Sequence, residues 1–517
     1  MHPYPGISVA RSAAPLFAIT PIAQSTAPLF AITRVEWSAA PLFAITPVEW
    51  SAASLLRNIG FAAALRCALQ SMFSNFQRRC APLCRDRIRM STYFLSDAWA
   101  LERDAADPLR QFRARFHIPQ HMGSDIAYFC GNSLGLQPKS ARAYVEEALD
   151  KWATQAVEGH FLEPAPWMPY HELVRDGLAA VVGAQPSEVV AMNSLTANLH
   201  LMMVSFFCPD AQRNAILMEA GAFPSDRHAM ASQLAFHGLS PEQCLIELEP
   251  DRGDGTCSMA AIERAIAEHG PRLALILWPG VQYRSGQAFD LNEIARLGHA
   301  AGAIVGFDLA HAVGNVPLQL HDSGADFAVW CHYKYLNSGP GAVAGCFVHE
   351  RHAHSDRPRF AGWWGHDPAT RFKMGPEFVP TPGADGWQLS NPPVLGLAPL
   401  RASLDLFAQA GMTALREKSK GLTGYLETLI HTHLADTLQI VTPSDAAQRG
   451  CQLSLRMLQG RGLHGRDAGR SLFEFLAARG VLGDWREPDV IRMSPAPFYN
   501  TYSDVLRFAR SVQDWRA

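Results

Sequence analysis

The chain has 517 residues, of which 48% are hydrophobic and 18% charged, and its formal net charge is −3. This length allows two or three domains with large cores, and the small net charge argues against a nucleic-acid-binding surface. No apolar stretch reaches the ~18 residues of a transmembrane helix, so no membrane partner is predicted. The ten cysteines lack CxxC or CxxH spacing, which favours reduced thiols in a cytoplasmic protein over disulfides or a metal site.

A 13-residue repeat occupies the beginning of the chain. Copies of SAAPLFAITPVEW begin at residues 12, 25, 38 and 51, and a proline in the middle of each full copy breaks any helix. Residues 1–90 contain nine arginines, no lysine and three acidic residues, a net charge of +6. We predict a disordered extension over residues 1–89, with the natural start at Met90. An arginine-rich targeting peptide and an interaction segment are the alternatives.

Short apolar strands alternate with amphipathic helices in the remaining chain. Strand patterns occur at residues 126–130, 189–192, 214–218, 273–278, 304–307 and 327–331, and helical spacing occurs at 141–156 and 291–301. This alternation predicts an α/β domain with a mostly parallel sheet and helices on both faces. After residue 395 long helices are followed by strands near 452–455 and 490–493, which predicts a smaller α+β domain.

The predicted organisation therefore has four parts. Residues 1–89 form the extension, 90–155 the N-terminal segment of the small domain, 156–390 the large domain, and 391–517 the C-terminal small domain. The stretch GNSLGLQP at 131–138 has two glycines and an asparagine within five residues, which predicts a loop held close to another segment.

Candidate ligand-binding residues come directly after strands. Thr196, Asp226, Asp308 and His311 all have this position, and ligands bind at the carboxyl edge of open parallel sheets. The sequence NSLT at 193–196 begins a helix, whose free N–H groups suit a phosphate. Ordinary helix capping is the alternative for NSLT.

The stretch from Asp308 to Lys334 contains the strongest chemical signal. A carboxylate ends an apolar strand, and the lysine lies between Tyr333 and Tyr335 in an apolar segment. Pyridoxal phosphate chemistry needs a lysine that forms a Schiff base and a carboxylate that keeps the pyridine nitrogen protonated. The alternative is a buried Asp–Lys ion pair in an α/β core.

Six motifs extend this signal: FPSD, GVQY, GFDLAHAVGN, YKYLN, GWWGH and SNPP. With them the chain, from about Ser91 to its C-terminus, resembles the kynureninase family. Members are pyridoxal-phosphate enzymes of fold type I, related to class V aminotransferases and cysteine desulfurases. The resemblance implies a seven-stranded, mostly parallel sheet in the large domain and a homodimer with its active site at the subunit interface.

The resemblance also implies roles for individual residues. The catalytic residues would be Lys334, Tyr333 and Asp308. The cofactor contacts would be Leu195, Thr196, Phe223, Asp226, Asp308, His311, Tyr333, Lys334, Trp363 and Asn391. The substrate contacts would be Ser133, His160, Trp363, Asn391 and Arg492, with Arg492 binding the α-carboxylate. Pro279 departs from the pattern, because some members carry a serine there near the phosphate.

The implied reaction is hydrolysis of L-kynurenine, or its 3-hydroxy form, to anthranilate or 3-hydroxyanthranilate and L-alanine. It belongs to tryptophan degradation and NAD biosynthesis. Two alternatives stay open: another enzyme of the same fold, such as a cysteine desulfurase or lyase, and a non-catalytic cofactor-binding scaffold. A desulfurase needs a reactive cysteine after the lysine, and only Cys346 and Cys451 follow it. For Arg492, the alternative is an arginine on an edge strand that reaches to solvent.

Overall fold

The computed structural model describes residues 95–516. The N-terminal repeats and the predicted extension lie outside these residues. The α-helices are α1 (Asp97–Ala106), α2 (Ala141–Gln155), α3 (Arg175–Val182), α4 (Leu195–Phe206), α5 (Pro224–Phe236), α6 (Pro241–Cys244), α7 (Met259–His269), α8 (Leu291–Ala300), α9 (Leu320–Ser323), α10 (Val394–Ala410), α11 (Met412–Leu429), α12 (Gly465–Ala477) and α13 (Tyr502–Arg516). The strands are β1 (Gln120–His121), β2 (Ser124–Asp125), β3 (Ala127–Tyr128), β4 (Val189–Met192), β5 (Ala215–Glu219), β6 (Leu245–Leu248), β7 (Leu273–Pro279), β8 (Ile304–Asp308), β9 (Phe327–Cys331), β10 (Ala344–Val348), β11 (Leu438–Ile440), β12 (Leu453–Met457), β13 (Gln459–Gly460), β14 (Leu463–His464), β15 (Val481–Leu482), β16 (Asp484–Arg486) and β17 (Val490–Met493).

Seven strands form the central sheet, in the order β4-β10-β9-β8-β7-β5-β6. Strands β5 to β9 pair in parallel, and β10 runs antiparallel to both β9 and β4. The prediction of a mostly parallel, seven-stranded sheet in an α/β fold is confirmed.

The strands of this sheet are largely apolar because helices cover both of its faces. Every residue of β5 and of β9 is buried. Successive side chains point to opposite faces, so Leu217 packs into one hydrophobic core and its neighbour Met218 into the other. The continuous apolar runs read from the sequence are thus the signature of a sheet buried on both sides.

The glycine-rich loop after β3 lies against the segment that carries Lys334. The Gly135 N–H donates to the Tyr333 carbonyl at 2.8 Å. A Cβ at Gly135 would come within 2.3 Å of the Lys334 carbonyl oxygen, so only glycine allows this approach. The prediction of a loop held close to another segment is confirmed.

A second, four-stranded antiparallel sheet has the order β11-β12-β17-β16. It contributes to a separate hydrophobic core with α11, α12 and α13. The N-terminal part of the described chain joins this region, because β3 pairs in parallel with β15. Strand β17 lies between two neighbours, so the alternative of an edge-strand position for Arg492 is wrong.

Two further properties concern the described residues alone. No helix in the range 95–516 is long and apolar enough to cross a bilayer. The cysteines in this range are free thiols.

A buried carboxylate ties the amino edge of the sheet together. Asp326, which is 3% exposed, accepts hydrogen bonds of 2.8 Å from His299 Nε2, His352 Nε2 and the Val305 N–H. Burial alone would raise its pKa, but the hydrogen bonds from His299, His352 and Val305 outweigh burial and hold the pKa of Asp326 below its ordinary value.

We predict that Asp326→Asn lowers the free energy of unfolding by about 2–4 kcal/mol at neutral pH, because it leaves buried donors with a weaker partner. A carboxyl whose pKa is depressed on folding stabilises the fold above its unfolded pKa of about 4, and this contribution disappears as pH falls. The difference in melting temperature between wild type and variant should therefore begin to shrink as pH falls below about 4. Asp322→Asn, at an exposed neighbour, is the control. A variant as stable as wild type at pH 7 would contradict the prediction.

Candidate active site

A cavity opens at the carboxyl edge of the central sheet, where β5, β7 and β8 end and α4 begins. It contains about 660 Å³ of space not filled by atoms, part of which is open to solvent. The predicted contacts that line it together are Leu195, Thr196, Phe223, Asp226, Asp308, His311, Tyr333 and Lys334.

Lys334 reaches this cavity from the segment that follows β9. Its Nζ lies 2.8 Å from His311 Nε2. His311 is 6% exposed, and burial, together with the nearby charges of Lys334 and Arg492, holds its pKa well below the ordinary value. The imidazole is therefore neutral and Nε2 accepts from Lys334, which places the remaining proton on Nδ1. His311 Nδ1 is buried and has no hydrogen-bond partner among the described protein atoms.

Two carboxyl groups face the lysine from the ends of neighbouring elements. Asp308 ends β8 and accepts from the Ala310 N–H at 2.7 Å. Asp226, in the first turn of α5, hydrogen-bonds to the Asp308 side chain, and burial and the charge of Asp308 raise the pKa of Asp226 well above its ordinary value. The pair holds a proton between its two carboxyl groups. Asp226 Oδ1 is buried without a hydrogen-bond partner in the described protein.

A third carboxyl group was missed by the reading of the sequence. Glu219 ends β5, is 4% exposed and lines the same cavity. Burial raises its pKa to about 8, although a 3.4 Å hydrogen bond from Gln282 Nε2 opposes this shift. The signal was present, because Glu219 ends an apolar strand in the same way as Asp308.

The N-terminus of α4 forms another wall of the cavity. Ser194 precedes this helix with extended backbone angles, and its side chain makes no capping hydrogen bond. The first N–H groups of a helix have no partner within the helix, and Leu195 and Thr196 line the cavity here. This arrangement suits an anionic group such as a phosphate.

Aromatic rings complete the lining. Phe223 meets Tyr283 edge to face, with ring centroids 5.3 Å apart, and Lys334 Nζ lies 6.0 Å from the Phe223 ring centroid. Tyr333 lines the cavity beside the lysine. Burial, followed by the neighbouring Cys331 thiol, raises the pKa of Tyr333, so its hydroxyl is protonated at neutral pH. Tyr283 belongs to the GVQY motif, but no role had been predicted for it.

Three predicted substrate contacts lie outside the cavity lining. Ser133 is half-buried in the glycine-rich loop. The His160 ring lies near Trp167, with centroids 5.3 Å apart. Arg492 is fully buried. Its Nη2 lies 2.7 Å from Asp484 Oδ2, and its Nη1 donates to the carbonyl of Tyr283, a cavity residue, at 2.7 Å.

The remaining two predicted contacts also lie outside the lining. Trp363 is 42% exposed, and its indole donates to the Arg371 carbonyl at 3.2 Å. Asn391 is exposed in the segment before α10. Within one chain the structure does not bring these two residues to Lys334.

Comparison with known proteins gives the family. Residues 415–512 match the family model described as "Kynureninase C-terminal domain". A relative named kynureninase from Xanthomonas campestris pv. campestris (strain B100) is 68% identical over 428 residues, which are 83% of this chain and 100% of the relative. Another relative of that name, from Xanthomonas euvesicatoria pv. vesicatoria, is 67% identical over 426 residues, 82% of this chain and 100% of the relative. The chain belongs to the kynureninase family.

Solved structures show the same fold at low sequence identity. A cysteine desulfurase from Thermococcus onnurineus NA1 matches with a TM-score of 0.62 at 16% identity, covering 76% of this chain and 94% of that chain. The cysteine desulfurase CsdA from Escherichia coli matches with a TM-score of 0.63 at 16% identity, covering 78% and 98%. These matches show that this member of the kynureninase family has the fold of pyridoxal-phosphate enzymes of fold type I.

We predict that Glu219→Gln removes a pH-dependent loss of stability in the cofactor-free protein. A carboxyl whose pKa is raised on folding makes the fold less stable as pH rises from its unfolded pKa of about 4.5 to its folded pKa of about 8. The limiting slope is about 1.4 kcal/mol per pH unit. Melting temperatures measured from pH 5 to 8.5 should fall more steeply for wild type than for the variant. Glu249→Gln, at an exposed position, should keep the wild-type slope, and parallel curves for Glu219→Gln would refute the assignment.

Proposed function

We propose that this protein is a pyridoxal-phosphate-dependent kynureninase, which hydrolyses L-kynurenine to anthranilate and L-alanine. The observation that carries the proposal is the cavity in which Lys334, His311, Asp308 and Asp226 meet at the carboxyl edge of the sheet, in a chain that is 68% identical to a relative named kynureninase. The 3-hydroxy form of L-kynurenine is the second candidate substrate, and comparing turnover of the two by the purified protein gives the preference.

The residues present fit the cofactor. The partnerless Asp226 Oδ1 and the Asp308 carboxyl supply acceptors for a protonated ring nitrogen. The N-terminus of α4, at Leu195 and Thr196, supplies donors for a phosphate. Lys334 would bond covalently to the cofactor through Nζ, and the Phe223 ring would stack on it. Pro279 ends β7 beside the cavity and has no hydroxyl for the phosphate.

Each residue has a defined task in the reaction. Pyridoxal phosphate, when bound, accepts the electron pair left on the substrate when a bond near its α-carbon breaks. Lys334 Nζ, oriented by neutral His311, would take the substrate α-proton. Tyr333, whose hydroxyl stays protonated at neutral pH, would donate a proton to the β-carbon. Water adds across the Cβ–Cγ bond, so that the γ-carbon leaves as the carboxyl group of anthranilate and the β-carbon becomes the methyl group of alanine.

Arg492 would bind the substrate α-carboxylate by the bidentate geometry that guanidinium groups favour. It lies behind the cavity wall, where it contacts the Tyr283 carbonyl and is paired with Asp484. Asp484 stands directly opposite Arg492 in the β16–β17 register. Asp484 therefore orients the guanidinium group of Arg492. We infer that substrate binding turns part of this group towards the cavity.

A second subunit would complete the site. Trp363 and Asn391 match the family motifs yet are exposed and lie outside the cavity of their own chain. In a symmetric dimer a surface residue of one subunit can reach the cavity of the other. We therefore propose a homodimer in which Trp363 of the partner subunit and Asn391 of the partner subunit contact the cofactor and the substrate. Ser133 and His160 would shape the substrate pocket.

The alternative of a cysteine desulfurase is weakened by the thiols that follow Lys334. Cys346 lies in β10 and Cys451 precedes β12, and both are fully buried. Burial raises the pKa of both thiols, that of Cys451 to about 12. A buried thiol that keeps its proton is a poor nucleophile.

On the family resemblance, we assign the reaction to tryptophan degradation and NAD biosynthesis in the cytoplasm.

We predict that Lys334→Ala abolishes anthranilate release and the visible absorbance shift of bound pyridoxal phosphate, because no amine remains to bond the cofactor. Purified wild type should show the absorbance band and release fluorescent anthranilate from kynurenine. Lys139→Ala, at an exposed lysine, should behave as wild type. A cofactor band without reaction towards any amino acid would favour the scaffold alternative, and normal turnover by Lys334→Ala would refute the mechanism.

We predict that two inactive variants complement each other when mixed. Lys334→Ala and Asn391→Ala place their defects in opposite halves of a shared site, so a mixed dimer contains one intact site. Random exchange of subunits should restore about a quarter of the wild-type sites. The measurement is anthranilate release after the variants are mixed and subunit exchange is allowed. Lys334→Ala mixed with Asp308→Ala should stay inactive, since both residues line the cavity of one chain. Failure of the first mixture, with exchange confirmed by mass labelling, would refute the shared site.

A further inference from the structure

Three donor side chains meet at the amino edge of the central sheet, opposite to the cavity. Glu188 directly precedes β4, His349 directly follows β10, and His321 lies in α9. Their ligand atoms all lie within 4.8 Å of one another. Because β4 and β10 are antiparallel neighbours, the beginning of one strand and the end of the other are necessarily adjacent.

The ligand atoms of this Glu188 cluster have separations close to those found around a small metal ion. His321 Nδ1 lies 3.0 Å and His349 Nδ1 3.8 Å from Glu188 Oε1. Ligands about 2.0–2.2 Å from Zn²⁺ in tetrahedral geometry are roughly 3.3–3.6 Å apart. The two observed distances lie on either side of this range. Two imidazoles and a carboxylate are also a ligand set typical of zinc.

The carboxylate is already held in place by the backbone. The Glu188 side chain is 0% exposed. Its Oε2 accepts from the Gln185 N–H at 2.9 Å, and its Oε1 accepts from the Glu350 N–H at 2.8 Å. Hydrogen bonds of this kind orient metal ligands in known sites and strengthen their binding.

Solvent can reach the cluster from one side. His321 is 30% exposed and Glu350 50% exposed, with Glu350 Oε1 4.0 Å from His321 Nε2. Glu350 therefore adds negative charge at the entrance. The neighbouring Arg351 guanidinium is engaged elsewhere, since it donates to the Ala325 carbonyl at 3.1 Å and pairs with Asp326 at 3.5 Å.

We propose that Glu188, His321 and His349 bind a divalent transition metal, with Zn²⁺ as the best match. Three protein ligands would leave a fourth position for water or for the Glu350 carboxylate. The metal would link the edge strand β4 to both β10 and α9, and it would thereby stabilise this edge of the sheet. It takes no part in the chemistry, because the site lies at the opposite edge from Lys334.

The test is a titration of the full-length, cofactor-loaded protein with Zn²⁺ by calorimetry, and with Co²⁺ by visible absorption. Wild type should bind one equivalent at this site, show the intense absorption of tetrahedral Co²⁺, and melt at a higher temperature with Zn²⁺. His321→Gln and His349→Gln should each weaken this binding by more than about tenfold. Both variants should keep wild-type turnover of kynurenine.

The control is His354→Gln, which removes an exposed histidine near the same edge and should bind as wild type does. Cofactor absorbance and circular dichroism show whether each variant is folded. If the His349 variant does not fold, the variant at the partly exposed His321 is sufficient for the test. Equal binding by wild type and both cluster variants would identify scattered surface sites and overturn the proposal. Absence of binding by wild type would overturn it equally. Neither result depends on whether the protein acts on kynurenine.

Discussion

The hydrogen bond between Lys334 and His311 is the contact on which the candidate site depends. It requires a lysine from the segment after β9 and a histidine from the turn after β8 to meet at 2.8 Å. Parallel strands β8 and β9 are adjacent and end at the same edge, so their following segments are held together by the sheet itself. Burial holds the pKa of His311 well below its ordinary value, so the neutral ring accepts a hydrogen bond from the lysine.

The same geometry gathers more carboxyl groups than one amine can neutralise. Asp308 ends β8, Glu219 ends β5, and Asp226 lies at the start of α5. All three are buried. Since buried charges must be paired or neutralised, Asp226 and Glu219 hold protons in the cofactor-free protein. A cationic ring nitrogen held by these groups would relieve this imbalance, which is the electrostatic reason why pyridoxal phosphate suits the cavity.

The two edges of the sheet have different tasks. Helices cover both faces, so ionisable side chains of the strands are found at their ends. At the carboxyl edge these side chains surround a cavity. At the amino edge, Asp326 and Glu188 are satisfied by histidines and backbone N–H groups, and they hold strand ends, helices and turns together. A buried carboxylate is thus a structural anchor at one edge and part of a cavity lining at the other.

Much of this arrangement was predictable from local pattern. Apolar runs located the strands of the central sheet, because a strand that is buried on both faces forms a continuous apolar run and does not alternate with polar residues. Asp308, Asp226 and Thr196 were found because ligand-binding groups follow strand ends. Lys334 was found because a lysine within an apolar segment is badly placed for a solvent-exposed side chain. Glu219 also ends a strand but was missed, since no nearby motif or second functional residue in the sequence pointed to it.

The sequence by itself determined the α/β class, the family and the residues that meet around Lys334, because these depend on periodicity and on short motifs of fixed chemistry. Only the tertiary structure decided which groups share a proton, why His311 is neutral, and that Arg492 is buried on an interior strand opposite Asp484. It also showed that Trp363 and Asn391 do not reach the cavity of their own chain, and that Glu188, His321 and His349 converge. These facts depend on distances between residues that are far apart in sequence, and such distances are set by strand order and packing.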